Sequence, residues 1–248
     1  MRVSTAQLVI VAMSAATEAT GACDQHILKV VIQNLQKRGG LASRLISEQK
    51  PDVLLAQEIS LHTEDTSLFN KTSSASFTSR AGYGTAIYCR GGKISDVRKI
   101  SSPHAETGGF IRKKTTIARC QEGIHFVSFH GYNGQPFKSV AKLADHVAAA
   151  LSVVPSEGPA LFAGDFNTWT EEHVDAVTEL MINAGFVLAY SWPYPGREVS
   201  LDHAFARGMN VLRSGSYENE SDHRGAIISV SVCTSSAIND DSEQLMAV

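Results

Sequence analysis

Asn34, Glu58, His130, Asp165, Asn167 and the pairs Asp202-His203 and Asp222-His223 each close or open an apolar run of the chain. The clearest case is Pro159 to Asn167, PALFAGDFN, where a carboxylate and a carboxamide emerge two residues apart from the end of a short buried strand. Such a strand end lies at the rim of a fold, where a substrate can reach it. Carboxylates and amides are hard oxygen donors suited to Mg²⁺, which keeps several of its waters and takes only one or two protein carboxylates. Imidazoles act as acid or base, or as partner to a developing oxyanion. A hard cation, a carboxylate that orients water and a His held by another acid together describe metal-assisted hydrolysis of a phosphate ester. The four cysteines, Cys23, Cys89, Cys120 and Cys233, form no C-x-x-C pair, so neither a zinc site nor a dithiol motif competes; free or buried thiols are expected.

The elements that must carry these residues follow from periodicity. His26 to Asn34 (HILKVVIQN) reads as a first strand, Leu41 to Gln49 as a helix stopped by Pro51, and Asp52 to Glu58 (DVLLAQE) as a second buried strand, a βαβ unit if the strands are parallel. Leu61 to Ser79, rich in Ser and Thr, reads as a long surface loop. Strands are expected at Gly84 to Arg90, at Gly109 to Cys120 with Arg112-Lys113-Lys114 interrupting it, and at Ile124 to His130. Ser139 to Val153 has helical spacing of Val140, Leu143, Val147 and Leu151, and a second helix runs from about Glu171 to Ala184. Tyr190 to Pro195 reads as an irregular aromatic loop, and the last strands are Leu201 to Ala206 and Gly225 to Val232.

A chain of 248 residues with 43% hydrophobic residues can form one large domain, assigned to residues 23–232. The net charge of −3 supplies no global basic field of the kind that holds nucleic acid unaided. From Arg80 to Arg119, however, nine Lys or Arg face only Asp96 and Glu106, either a set of solvated faces or a surface that attracts phosphate. Residues 1–22 have roughly the shape of a secretory signal peptide, with an N-terminal extension as the alternative; the location is then secreted or periplasmic, or otherwise cytoplasmic. The apolar run Leu8 to Ala16 is too short for a transmembrane span, which needs about 20 residues. Residues 233–248 read as a flexible polar tail.

GDFNTW (Gly164 to Trp169), the Gln57-Glu58 of LLAQE, SLDHAF (Ser200 to Phe205) and SDHRG (Ser221 to Gly225) resemble, in order and spacing, the motifs of the endonuclease/exonuclease/phosphatase superfamily. Asn34 and His130, the latter in SFHGYN, fall where that family places an Asn on the first strand and a His before the central helix. The resemblance covers about His26 to Val232, and between the motifs the chain is most similar to compact bacterial members. It implies an α+β fold of the DNase I-like type, a four-layer αββα sandwich of two mixed sheets. Two positions depart from the family pattern: Gln33 stands where many relatives have Trp, and Gly225 where Pro is common.

The resemblance also implies roles. Glu58 would be the principal Mg²⁺ ligand, Mn²⁺ being an alternative ion, with Asn34 and Asp222 helping directly or through water. Asp165 would orient or deprotonate the attacking water and Asn167 would bond a phosphate oxygen. His223, held by Asp202, would face the scissile phosphate, and His130 would stabilise developing charge or assist the leaving group. For His130, capping of backbone groups at the turn is the alternative. His203 should point away from Asp202 by strand alternation and serve the fold. His62, His104, His125, His146 and His173 lack any motif and are expected at the surface. Asn133, Trp169 and Trp192 either line a substrate groove or pack in the core. The expected function is a monomeric Mg²⁺-dependent phosphodiesterase, foremost a nuclease acting on nucleic acid. The alternatives are a phosphomonoesterase or phospholipid diesterase of inositol-phosphate or sphingomyelin type, and a non-catalytic binding protein on the same scaffold.

Overall fold

The computed structural model describes residues 24–59, 69–74, 84–91, 94–106, 109, 111–120 and 123–234. The proposed signal segment, residues 235–248 of the proposed tail, and His62 lie outside them. The elements run β1 (Asp24–Asn34), α1 (Leu41–Gln49), β2 (Val53–Ile59), β3 (Phe69–Ser74), β4 (Gly84–Arg90), β5 (Ser95–Ser101), β6 (Lys114–Arg119), β7 (His125–His130), α2 (Val140–Leu151), β8 (Ala160–Asp165), α3 (Glu171–Asn183), β9 (Val187–Trp192), β10 (Asp202–Arg207), β11 (Asn210–Tyr217) and β12 (Gly225–Thr234). β12 thus continues two residues past the boundary set from sequence at Val232.

The strands form two six-stranded sheets, ordered β11-β12-β1-β2-β4-β3 and β5-β6-β7-β8-β10-β9. Each is mixed, because β1 and β2 pair in parallel in the first and β7 and β8 in the second, while the other pairs are antiparallel. Strand alternation sends Val30 and Ile32 into the core between the sheets and Val31 to the opposite face, where it packs with Leu41 and Leu45 of α1. On the far side of the second sheet, Val127, Phe162 and Phe205 pack against Leu143 and Val147 of α2 and Val177 and Met181 of α3. These three apolar layers make the four-layer αββα sandwich expected from sequence. Ser139 and Thr170 cap α2 and α3 by accepting from the N–H groups of Lys142 and His173. No described helix is long and apolar enough to cross a membrane.

Four strands depart from the sequence expectation. β3 lies in the stretch read as a loop, β9 occupies the start of the aromatic loop, and β5 and β11 fall in segments to which no strand was assigned. All four are the edges of the two sheets. An edge strand needs no continuous apolar run, and no residue of β5 or β11 is buried. The basic Arg112-Lys113-Lys114 marks the start of a shorter β6 rather than a break within one long strand. Cys89 and Cys120 are joined in a disulfide, their Cα atoms 6.2 Å apart, so the expectation of free thiols fails for this pair. Cys89 lies on β4 and Cys120 just past β6, so the bond ties one sheet to the other inside the shared core.

Candidate active site

Strand register assembles the site. On the second sheet His130 of β7 pairs with Asp165 of β8, and Asp165 pairs in turn with Asp202 of β10. On the first, Asn34 ends β1 opposite Gln57, next to Glu58, and His223 stands two residues before β12. Asn34, Glu58, His130, Asp165, Asn167, Asp202 and His223 therefore meet at one edge of the sandwich. Asp222 lies at its exposed rim, outside the buried group.

Asp165 is the hub. Its Oδ1 accepts from the Asn167 N–H at 2.9 Å and its Oδ2 from Asn34 Nδ2 at 3.1 Å. The same Oδ2 is 3.6 Å from His130 Nε2 and 3.7 Å from His223 Nε2. Gly164 makes this approach possible: at φ +144° a Cβ would lie 2.2 Å from the Phe129 carbonyl oxygen and 2.9 Å from Gln57 Nε2. Asn167 and Glu58 adopt left-handed φ values of 57° and 49°, a backbone strain concentrated at the site. The Asn167 side chain donates to the Gly131 carbonyl at 3.1 Å. The Asn34 oxygen accepts from the Gln36 N–H at 2.9 Å, so in this geometry Asn34 is engaged in holding Asp165 and the following turn.

The two imidazoles are driven apart in charge. His223 Nδ1 donates to Asp202 Oδ2 at 2.8 Å. Burial opposes its charged form, but the Asp202 and Asp165 carboxylates, the hydrogen bond and Asp222 together raise its pKa to about 10. Burial also pushes the Asp202 carboxyl up, against the adjacent imidazolium that draws it down. The short bond between the two favours the imidazolium of His223 against the cost of its burial. His130 is fully buried, and burial together with the Lys113 cation holds its pKa well below the usual imidazole value. Lys113 Nζ donates to His130 Nε2 at 2.5 Å, which places the ring proton on Nδ1, an atom with no partner among the described residues.

Lys113 is the functional side chain that sequence reading missed. It belonged to a run read as a strand interruption, yet it is buried and reaches the site. A Lys within a segment flanked by strand residues was the available signal. Half-buried Glu106, also unassigned, accepts from the Asn133 N–H at 2.6 Å and so ties down the turn that follows His130. His203 points away from Asp202 as expected, bonding Thr168 Oγ1 and Ser191 Oγ, both at 2.7 Å. His146 and His173 are buried rather than at the surface, and burial lowers His146 to a pKa of about 3. Trp192 is core, donating to the Arg224 carbonyl, whereas Trp169 is half-buried at the rim of the site.

The donor chemistry suits a hard divalent ion. Burial raises the pKa values of Glu58, Asp165 and Asp202, as expected for carboxylates whose charge is incompletely offset. Asp165, Asp202 and His223 each offer a ligand atom within 4.8 Å of the others, a group able to hold a metal. All three stand among the catalytic residues of the sequence reading, and none is Asn34, Glu58 or Asp222, the ligands named there. A protonated imidazole has no lone pair for a metal, so with His223 charged the carboxylates are the available ligands, Glu58 on one side of Asp165 among them.

Comparisons with known proteins bear on the family and the fold. A family model described as the Endonuclease/Exonuclease/phosphatase family matches residues 34–223, from the Asn of β1 to the His before β12. A UPF0294 protein of Vibrio vulnificus is 38% identical over 91 residues, 35% of this chain and 31% of that protein, so the match spans about a third of the relative's length. Among solved structures, an endonuclease/exonuclease/phosphatase from Beutenbergia cavernae superposes with a TM-score of 0.62 at 15% identity, over 84% of this chain and 72% of that one. D. rerio TDP2 complexed with single-strand DNA product gives 0.61 at 16% identity, over 82% and 98%. The human Nocturnin catalytic domain with bound sulfate gives 0.58 at 16%, over 84% and 96%. At these identities the likeness is one of fold.

Proposed function

Because this chain belongs to the Endonuclease/Exonuclease/phosphatase family, we propose that it is a divalent-metal-dependent phosphodiesterase that cleaves nucleic acid by attack of water. One observation carries the reading: Asp165 Oδ2 stands 3.6 and 3.7 Å from two imidazoles of opposite protonation, His130 neutral and His223 charged. Titratable groups whose surroundings push them apart in this way are suited to divide acid and base roles.

Asp165 accepts the proton of the attacking water and orients it. His223, fixed by Asp202, presents its Nε2–H to the phosphoryl oxygen or the leaving group. Lys113, backed by His130, and the Asn167 amide face the charge that develops on phosphorus-bound oxygens. Glu58, with Asp222 at the rim and Asn34 nearby, would hold a divalent ion such as Mg²⁺, which supplies Lewis-acid polarisation and charge neutralisation when bound. Secretion after removal of residues 1–22 fits the Cys89–Cys120 disulfide, since such bonds persist in oxidising compartments. We take the protein to act as a monomer.

The test is hydrolysis of DNA and of bis(p-nitrophenyl) phosphate by wild type, Asp165→Asn and His223→Gln, with Mg²⁺ and with chelator. Loss of about 10³-fold in kcat for each variant, and abolition by chelator, are expected. Equal rates in all three proteins would sink the assignment.

A further inference from the structure

Beside His223 lies a group of side chains that hydrolysis of a single phosphate leaves unused. The Tyr194 ring meets the His223 ring edge-on, with centroids 4.8 Å apart. Trp169 follows at 6.3 Å from Tyr194, its Nε1 fixed by donation to Asn133 Oδ1 at 2.8 Å. Lys138 Nζ stands 3.0 Å from the Trp169 ring centroid and the Arg197 guanidinium carbon 4.4 Å from it. Two cations thus share one aromatic ring, and among the described residues neither forms a salt bridge. On the same turn Phe137 is 86% exposed, a large apolar ring held in water next to Lys138.

We propose that Trp169, Tyr194 and Phe137, with Lys138 and Arg197, form a subsite for the nucleotide next to the scissile phosphate of a single-stranded nucleic acid. This rests on the phosphodiesterase reading above and specifies its substrate. A phosphate at Asp165 and His223 is already faced by Lys113 and Asn167, so two further cations beyond Tyr194 call for a second phosphate. Polynucleotides carry one at every residue, whereas a simple monoester or a sphingomyelin headgroup carries one in all. Aromatic faces interleaved with cations are how proteins hold unpaired bases and the backbone between them. In a duplex the base faces are stacked on one another, so stacking on protein requires a single strand. In the free protein the two cations stand against the Trp169 ring; an incoming phosphate draws them aside and frees the ring for a base.

The experiment compares kcat/KM for a short single-stranded oligothymidylate and for bis(p-nitrophenyl) phosphate, in wild type, Trp169→Ala and the Lys138→Ala/Arg197→Ala double variant. A control removes two remote cations, Lys99→Ala/Arg213→Ala, on the edge strands β5 and β11. In parallel, Trp169 fluorescence is titrated with the oligonucleotide, with a duplex and with inositol phosphate, in chelator so that no turnover occurs. The expected result is a loss on the oligonucleotide that exceeds the loss on the small diester by roughly tenfold or more, chiefly in KM, for both subsite variants. The control should behave as wild type, and fluorescence should be quenched by the single strand more strongly than by the others. Parallel losses on both substrates, no loss at all, or quenching only by duplex or inositol phosphate would overturn the proposal. If wild type hydrolyses neither substrate with Mg²⁺, the catalytic reading fails, while the fluorescence titration still decides the subsite.

Discussion

Asn34 Nδ2, at the end of β1, donates to Asp165 Oδ2, at the end of β8, over 3.1 Å, and this bond crosses from one sheet of the sandwich to the other. The base of the proposed reaction is therefore aimed by a residue of the opposite sheet. Asn34→Ala should lower kcat by about 10- to 100-fold, the usual effect of removing a side chain that orients a reacting group. Asn34→Asp should be worse, because it sets a second carboxylate against Asp165. Steady-state kinetics on a small diester, with folding checked by circular dichroism, reads both.

The protonation of His223 gives the stability curve a predictable alkaline side. Its pKa rises on folding from 6.5 to about 10, so its contribution is fully present below pH 6.5 and is lost as pH climbs toward 10. His203 behaves in the opposite way: burial lowers it to about 4, so its contribution is present above pH 6.5 and lost as pH falls toward 4. Urea unfolding across pH should show the stability gap between wild type and Asp202→Asn narrowing from pH 6.5 to 10. The gap between wild type and His203→Gln should narrow instead from pH 6.5 to 4. If His223 acts as a proton donor, the alkaline limb of kcat/KM should also move to lower pH in Asp202→Asn.

Gln33 and Gly225, the two positions at which the sequence departs from the family pattern, are neighbours in space. A Cβ on Gly225 would lie 2.3 Å from Gln33 Oε1 and 2.2 Å from Tyr217 Cζ. Gln33 Nε2 donates to the carbonyls of Asn34 at 2.7 Å and His223 at 3.2 Å, so it joins the end of β1 to the turn that carries His223. Gly225→Ala should destabilise by about 1–3 kcal/mol through overpacking. Combined with Gln33→Ala the two costs should sum to less than their separate values, since one removes the atom that the other strikes. A double-mutant cycle by thermal unfolding measures the coupling.

Cys89 and Cys120 are separated by 31 residues of chain. By loop-closure entropy their bond should contribute about 3–4 kcal/mol. A Cys89→Ala/Cys120→Ala variant, or the wild type under reductant, should lose that much in denaturant unfolding, and mass mapping under non-reducing conditions should recover the linked peptides.

Much of the scaffold was legible along the chain. Buried strands such as β2, β4, β7 and β8 announce themselves as short apolar runs, and their polar ends named Glu58, His130, Asp165 and Asn167. Three edge strands, β3, β5 and β11, were not legible because a strand with one neighbour and a solvated face leaves no apolar run, whereas β9 carries one, Val187 to Tyr190, that the reading of an aromatic loop from Tyr190 passed over. Lys113 was hidden for a related reason: its burial comes from residues distant in sequence, among them His130, seventeen positions later.

The sequence by itself determined which residues could do hydrolytic chemistry, the α+β class and the strand ends that would carry them, since hydrophobic period and residue type are local properties. Only the tertiary structure decided that His130, Asp165 and Asp202 stand in register, that Asn34 reaches Asp165 from the other sheet, and that Cys89 meets Cys120. It also decided that His223 is charged while His130 is neutral. A pKa is set by desolvation and by the charges that distant strands bring near, and neither exists until the two sheets have closed on each other.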